Sequence, residues 1–139
     1  MFLIDTDVLS SLAKRRRDAN VVAWISRQRP GDLFVSVISI GEIERGIVSQ
    51  RAKDKNFAAM LASWLDGVLN VYGDRVLAFD LASARRWGRL SAALARKDAD
   101  LQIAATALEY GLTVVTRNIS HFEPAGVPVL DPFGLPPRR

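Results

Sequence analysis

Two carboxylates, Asp5 and Asp7, lie one residue apart at the end of a short apolar run at 2–4. Acidic side chains that follow a buried strand can hold a divalent cation, or can act as a phosphatase nucleophile with its partner acid. They can also do no more than solvate the strand end or cap a helix at about 7–15. A lone aspartate would favour capping, whereas a pair that flanks one threonine favours a functional site.

Glu42 has a structural alternative of its own. The tetrapeptide Ser39-Ile40-Gly41-Glu42 fits the S-x-x-E capping box, in which both polar side chains satisfy N–H groups of the first helical turn. That interpretation would account for the serine and the glutamate together. The sequence therefore leaves two roles for Glu42 open, as a helix cap or as a ligand.

Asp100 lies on the apolar side of a predicted helix. It shares this side with residues three, four, seven and eight positions later, which are Ile103, Ala104, Ala107 and Leu108. The helix macrodipole favours any carboxylate at a helix N-terminus, which is the structural alternative. Because Asp98 is the better candidate for an ordinary N-cap, the position of Asp100 favours a functional role.

The elements that must position these acids follow from the hydrophobic pattern. Strand-like apolar runs occur at 2–4, 33–38, 76–79, 113–115 and 127–130. Helical periodicity lies between them, at 54–72, at 80–96 after a candidate Asp80 cap, and at 100–110. Alternating strands and helices predict an α/β fold with a mainly parallel sheet covered on both faces. In such sheets, sites form at the carboxyl ends of the strands.

More polar residues follow the fourth apolar run, among them Thr116, Asn118 and His121. His121 is the only histidine in the chain. It could be a metal ligand or a general base, although a lone histidine is more often a surface or capping group. Because they follow a strand, Thr116, Asn118 and His121 could gather at the same sheet edge as the acids.

The composition narrows the class of protein. With 139 residues, 49% of them hydrophobic, we expect one domain spanning 1–139, with an irregular tail from about 131. The absence of cysteine excludes disulfides and zinc-thiolate sites. The early Asp5 leaves no room for a signal peptide and no window resembles a membrane span, so we expect a cytoplasmic protein with no membrane partner.

The chain is basic, with a net charge of +4 and a pI of about 10.0. Lysine and arginine cluster at 14–17, 85–89, 96–97 and 138–139. Such clusters suit a polyanionic partner, although each of them could equally be a solvated face.

The stretch FLIDTDVL resembles the first motif of haloacid dehalogenase-type phosphatases. That chemistry needs a lysine and a further acidic pair downstream of a threonine or serine. After Thr116 the sequence contains no lysine, and only Glu123 and Asp131 are acidic. The sequence therefore rejects the phosphatase interpretation.

Three stretches occur in order and cover nearly the whole chain: FLIDTDVLSSL, VSVISIGEIERGI, and DLQIAATALEYGLTVVTRN followed by HF. Together they resemble the PIN domain, and specifically the VapC-type toxins of bacterial toxin–antitoxin pairs. The resemblance implies a three-layer α/β/α sandwich of about five strands and a metal-dependent ribonuclease. Carried over motif by motif, it implies that Asp5, Glu42 and Asp100 are catalytic and bind the metal.

The chain departs from the family pattern at two acidic positions. The first motif usually reads D-T-N, and here its third position is Asp7. The fourth motif usually reads T-R-N-x-x-D-F, and here His121 replaces the acid. Either Asp7 partly replaces the lost charge, or a second metal site is weakened. The connection before Asp100 also looks shorter than usual and lacks a glycine or proline.

The resemblance thus implies an endoribonuclease that uses Mg²⁺ or Mn²⁺, which prefer oxygen ligands. Asp7, Thr116, Asn118 and His121 are its expected auxiliary residues. The resemblance further implies an RNA substrate, a cognate antitoxin and a homodimer. The 54–72 helix could contribute to either protein interface, although core packing explains its apolar stripe equally well. The alternative is a non-catalytic RNA- or partner-binding module with a degenerate metal site.

Overall fold

The fold is built around a five-stranded parallel sheet, as the sequence predicts. The computed structural model describes residues 1–134. The strands are β1 (Phe2–Ile4), β2 (Leu33–Ser36), β3 (Val76–Leu77), β4 (Thr113–Val115) and β5 (Val129–Leu130). Their order in the sheet is β3-β2-β1-β4-β5, so β1 pairs with both β2 and β4. The first strand of the chain is therefore the centre of the sheet.

Helices connect the strands and cover both faces of the sheet. They are α1 (Thr6–Ser11), α2 (Ala19–Ser26), α3 (Val37–Arg51), α4 (Lys55–Tyr72), α5 (Leu81–Leu94), α6 (Ala99–Tyr110) and α7 (Ile119–Phe122). Short 3₁₀ turns lie at Pro30–Asp32, Gly73–Arg75 and Glu123–Ala125. No helix within residues 1–134 is long and apolar enough to cross a membrane.

The alternation of side chains along the strands creates two separate cores. Ile4 of β1 packs with helices α1 to α4 on one face, and its neighbour Leu3 packs with α6 and α7 on the other. In β4, Val115 and Val114 divide in the same way. Successive side chains of a strand point to opposite faces, so even a three-residue strand anchors both layers. The predicted α/β/α sandwich is confirmed.

The boundaries differ from the sequence prediction mainly where strands pass into helices. The run at 33–38 ends as a strand at Ser36, whose side chain accepts the N–H of Ile38 and caps α3. The predicted cap of α5 is confirmed, since Asp80 Oδ1 accepts the N–H of Ser83. Helix α2 was not predicted. Residues 131–134 contain no helix or strand, and the rest of the predicted tail lies outside the described residues.

Candidate active site

The carboxyl ends of three adjacent strands bring the predicted residues together. Asp5 follows β1, the α3 helix that carries Glu42 follows β2, and Thr116 follows β4. Because β1 lies between β2 and β4, these three residues converge at one edge of the sheet. Such a gathering was inferred from the sequence because these residues follow the predicted strands.

Asp5 is the buried carboxylate of the site, with 2% of its surface exposed. Its Oδ1 accepts the backbone N–H of Thr6 at 2.7 Å, and its Oδ2 accepts the hydroxyl of Thr116 at 2.9 Å. Asp5 also occupies the N-cap position of α1, so part of the capping interpretation is correct. The two hydrogen bonds fix the orientation of the carboxylate within the sheet edge.

Thr6 connects Asp5 to Glu42. Its Oγ1 lies 2.6 Å from Oε1 of Glu42 and 2.7 Å from Oγ of the fully buried Ser39. A hydroxyl carries one proton, so Thr6 donates to the carboxylate while Ser39 donates to Thr6. We call Asp5, Thr6, Glu42 and Thr116 the inner cluster.

The capping-box interpretation of Ser39 and Glu42 is wrong. Helix α3 begins earlier than a cap at Ser39 would require, and its cap is Ser36. Both polar side chains face Thr6 instead of the first-turn N–H groups. The sequence contains a second serine three residues upstream, and a capping-box pattern cannot distinguish between them.

Burial, and to a smaller extent the neighbouring charge of Asp100, raises the pKa of Asp5 from 3.8 to about 7. The hydrogen bonds from Thr116 and Thr6 oppose this rise in pKa because they stabilise the ionised form. Desolvation and a second carboxylate thus make the charged form of Asp5 unfavourable. A bound cation would reverse that balance.

A second group of residues lies beside Asp100, in the first turn of α6. Oδ2 of Asp100 is 2.5 Å from Nδ1 of His121, and Oδ2 of Asp98 is 3.9 Å from Nε2 of the same ring. Arg96 donates from Nε and Nη2 to the two oxygens of Asp98, at 2.8 Å each, and from Nη1 to the carbonyl of His121. We call Arg96, Asp98, Asp100 and His121 the outer cluster. Its side chains are partly exposed.

The bidentate hydrogen bond from Arg96 lowers the pKa of Asp98 and raises the pKa of the Arg96 guanidinium. Asp98 occupies the N-cap position of α6, as predicted, but its side chain accepts no capping hydrogen bond. Both carboxylate oxygens of Asp98 accept hydrogen bonds from Arg96. Because those oxygens are already bonded, Asp100 is the better candidate for a metal ligand.

The short connection before Asp100 has a specific conformation. Helix α5 ends at Ala95, which adopts the left-handed region with φ 54° and ψ 45°. Glycine usually occupies such a position, and this segment has none. The left-handed turn reverses the chain and is followed directly by Arg96, the residue that reaches Asp98 and His121.

The structure divides the predicted metal ligands between two groups, with Asp5 and Glu42 in the inner cluster and Asp100 in the outer cluster. Within the described residues, the group that could hold a metal with ligand atoms inside 4.8 Å is Asp98, Asp100 and His121. Asp5 belongs to the inner cluster, and its pKa responds to Asp100. Hard divalent cations prefer such carboxylate oxygens, and an imidazole nitrogen is acceptable to Mn²⁺. The donor set of Asp98, Asp100 and His121 therefore fits a divalent cation, and Asp5 and Glu42 are not part of that group.

Two auxiliary residues are placed differently from the acids. Asp7 is exposed in the first turn of α1 and lines a cavity with several basic residues. Asn118 is exposed, and its backbone N–H donates to Oγ1 of Thr116. Thr116 itself is fully buried and contacts Asp5 directly. Of the auxiliary residues, Thr116 and His121 thus make side-chain contacts with the predicted ligands.

Sequence reasoning missed Thr6 and the role of Arg96. Thr6 stands between the two acids of the opening motif, which was a visible signal for a site residue. Arg96 appeared only as part of a basic cluster, and nothing in the sequence indicates that it binds Asp98 and the carbonyl of His121. The bond of Thr6 to Glu42 and the bond of Arg96 to the His121 carbonyl depend on how distant segments meet.

Comparison with known proteins agrees with this geometry. A family model described as "PIN domain" matches residues 2–126. Because that match spans most of the chain, the protein belongs to the PIN-domain family.

Two curated relatives match nearly the whole length of this chain. The chain is 35% identical to the "VapC ribonuclease Y4jK" of Sinorhizobium fredii, covering 96% of this chain and 98% of the relative. It is 32% identical to the "Toxin FitB" of Neisseria gonorrhoeae, covering 96% and 99%. It also superposes on the crystal structure of FitAcB from Neisseria gonorrhoeae with a TM-score of 0.86, 29% identity and coverage of 97% and 100%.

Proposed function

We propose that this protein is an endoribonuclease that requires Mg²⁺ or Mn²⁺ and acts as the toxin of a toxin–antitoxin pair. Membership of the PIN family and the relatives named VapC ribonuclease and Toxin FitB support the ribonuclease and toxin assignments. The observation that carries the metal requirement is the buried Asp5, held by two hydrogen bonds beside a second carboxylate. Such an arrangement is unfavourable without a cation.

Asp5, Glu42 and Asp100 would hold the metal ion in this mechanism. When bound, a divalent cation supplies an activated water and charge stabilisation at the phosphate. Thr116 and Thr6 orient the carboxylates of Asp5 and Glu42 through the hydroxyl bonds described above. These bonds also keep the carboxylate oxygens from rotating between ligand positions.

His121 stands at the position that the family usually gives to an acid. Its contact with Asp100 makes it a positioning residue for that carboxylate. Its role in the proposal is to orient Asp100 or to contact the RNA substrate. We expect His121→Asp to raise the affinity for Mg²⁺, because it adds a carboxylate to the site. Isothermal titration with Mg²⁺ tests this, and an unchanged affinity would mean that the fourth position is dispensable here.

The proposal includes RNA as substrate, a cognate antitoxin, a homodimer and a cytoplasmic site of action. The basic surface of the chain suits the RNA backbone. Helix α4 suits protein contacts, because Leu65 and Val68 are buried in the core while Phe57, Met60 and Val71 are exposed. Light scattering would determine the oligomeric state, and α4 variants would show which contact the helix serves.

The decisive experiment is RNA cleavage by the wild type and by Asp5→Asn, with Mg²⁺, with Mn²⁺ and with EDTA. We expect cleavage only with metal, and a loss of about 1000-fold or more in Asp5→Asn because the central ligand is removed. Asp66→Asn, an exposed position on α4, is the matched control. RNA binding without cleavage under every metal condition would instead support the non-catalytic alternative.

A further inference from the structure

A basic pocket opens next to the inner cluster. It has a volume of about 420 Å³ and is lined by Asp7, Lys14, Arg16, Arg17, Arg117 and Phe133, among others. Two of these residues are close in sequence to residues of the inner cluster. Asp7 lies two residues after Asp5, and Arg117 follows Thr116, the residue that donates to Asp5. Through Arg117 the pocket therefore lies one residue along the chain from the inner cluster.

The charges that line the basic pocket are unbalanced. Within residues 1–134, none of its four cations forms an ion pair, although the pocket also contains two carboxylates, those of Asp7 and Asp18. Asp18 caps α2, where its Oδ1 accepts the N–H groups of Asn20 and Val21. The basic side chains are thus available for an anionic ligand.

Arg117 provides a flat surface in this pocket. Its guanidinium carbon lies 3.6 Å from the centroid of the Phe133 ring, which is a stacking contact. Phe133 is itself fixed, because its ring packs against the core and its carbonyl accepts Nδ2 of Asn20 at 2.9 Å. Arg117 is exposed above this ring. The arginine is therefore held in one plane instead of extending freely into solvent.

We propose that the basic pocket binds one nucleotide of the RNA chain beside the scissile phosphodiester. Lys14, Arg16 and Arg17 would contact backbone phosphate, and the Arg117 guanidinium would stack on an unpaired base. This inference rests on the proposed function, and what it adds is that the nucleotide held against Arg117 and Phe133 is unpaired. A base in a duplex is stacked and paired, so it could not reach the guanidinium.

Binding measurements in the Asp5→Asn background test the pocket without cleavage. The probe is a fluorescent oligouridylate, compared with the same oligomer carrying abasic sites and with an RNA duplex, by anisotropy across salt concentrations. We expect Arg117→Ala to weaken binding of the intact oligomer about tenfold, since base stacking is lost. Arg117→Lys should keep the salt dependence but bind intact and abasic oligomers with similar affinity.

Contacts of the basic side chains with phosphate are tested separately, by the salt dependence of the affinity for RNA. We expect Lys14→Gln with Arg16→Gln to reduce the slope of log affinity against log salt by about 0.7 for each phosphate that the variant no longer neutralises. The matched control is Arg85→Gln with Arg89→Gln on α5, which line a different cavity. Thermal melting of each variant checks that it remains folded.

Three results would overturn the subsite. They are unchanged affinity in Arg117→Ala, equal weakening by the α5 control pair, and equal affinity of the parent protein for single-stranded and duplex RNA. If the subsite fails while the wild type still cleaves RNA with metal, the proposed function stands. Failure of the wild type both to bind and to cleave RNA would reject the proposed function together with the subsite.

Discussion

The inner and outer clusters hold carboxylates by different physical means. In the inner cluster, Asp5 is buried at the end of the central strand and is held by neutral donors, the Thr116 hydroxyl and the Thr6 N–H. In the outer cluster, Asp98 is partly exposed and its charge is balanced by the Arg96 guanidinium. The first arrangement leaves a carboxylate without a charge partner, whereas the second supplies one.

This difference indicates which acids are suited to a metal. A carboxylate already paired with arginine gains little from a cation and would have to give up two charge-assisted hydrogen bonds. Asp5 has no cationic partner among the residues that shift its pKa, and Asp100 is its strongest charged influence. Asp100 therefore influences the charge of the inner cluster, although its contact with His121 places it in the outer one.

The sharpest test of this division compares Asp100→Asn with Asp98→Asn. We expect Asp100→Asn to lower the cleavage rate about 1000-fold, because a direct ligand is lost. Asp98→Asn should lower it about tenfold, as is typical for residues that support a ligand without binding the metal. Single-turnover cleavage at saturating Mn²⁺ measures both. A larger loss in Asp98→Asn would reverse the assignment of the two acids.

The inner cluster should also have a cost in stability that depends on pH. The folded pKa of Asp5 is about 7 and its ordinary value is 3.8, so between these values the folded state binds more protons than the unfolded state. Stability therefore falls as the pH rises through this window, by up to about 4 kcal/mol. The measurement is urea unfolding at pH 5 and pH 8 in EDTA.

Asp5→Asn should lack most of this pH dependence and, without metal, should be more stable than the wild type at pH 8. Divalent cations should restore the stability of the wild type at pH 8 and leave the stability of the variant unchanged, because the variant has lost the metal ligand. Parallel stability curves for the two proteins from pH 5 to pH 8 would contradict the burial argument.

Removing the hydroxyl that orients Asp5 should have an intermediate effect. Thr116→Val leaves Oδ2 of Asp5 and the N–H of Asn118 without their partner, in a fully buried position. We expect metal affinity to fall about tenfold and stability to fall by about 2 kcal/mol. Thr116→Ser keeps both hydrogen bonds and is the control. Equal losses in both variants would point to packing instead of orientation.

The smallest predicted effect concerns the turn that carries the outer cluster. Ala95 adopts a left-handed conformation that costs a residue with a Cβ about 1 kcal/mol. Ala95→Gly should therefore raise the free energy of unfolding by about that amount while leaving cleavage unchanged. Thermal melting and an RNase assay measure both. A loss of activity would show that the rigidity of alanine is needed to place Arg96.

Much of the inner cluster could be predicted from sequence because it depends on short-range pattern. Three apolar residues followed by Asp5 define a buried strand end, and TVV followed by Thr116 defines another. Parallel pairing then places both at one edge. The capping-box prediction for Ser39 and Glu42 was wrong because Ser36 and Ser39 are both plausible caps. Only the end of β2 at Ser36 shows where the helix begins.

The outer cluster could not be predicted in the same way. Arg96 reaches the carbonyl of His121, 25 residues later, and this contact requires a left-handed turn at an alanine. Sequence patterns report periodicity and capping, and they carry no information about a single long-range guanidinium bond. For the same reason, sequence patterns do not predict the stacking of Arg117 on Phe133.

The sequence by itself determined the α/β class, the strand ends and the acids that follow them, because hydrophobic periodicity fixes which residues are buried and which end a strand. Only the tertiary structure decided the partners of those acids. Hydrogen bonds and ion pairs form over about 3 Å between segments far apart in the chain, so small differences in backbone conformation select one partner over another. Helix position distinguishes Asp98 from Asp100 in the sequence, but only the folded protein shows that Arg96 pairs with Asp98 and that His121 contacts Asp100.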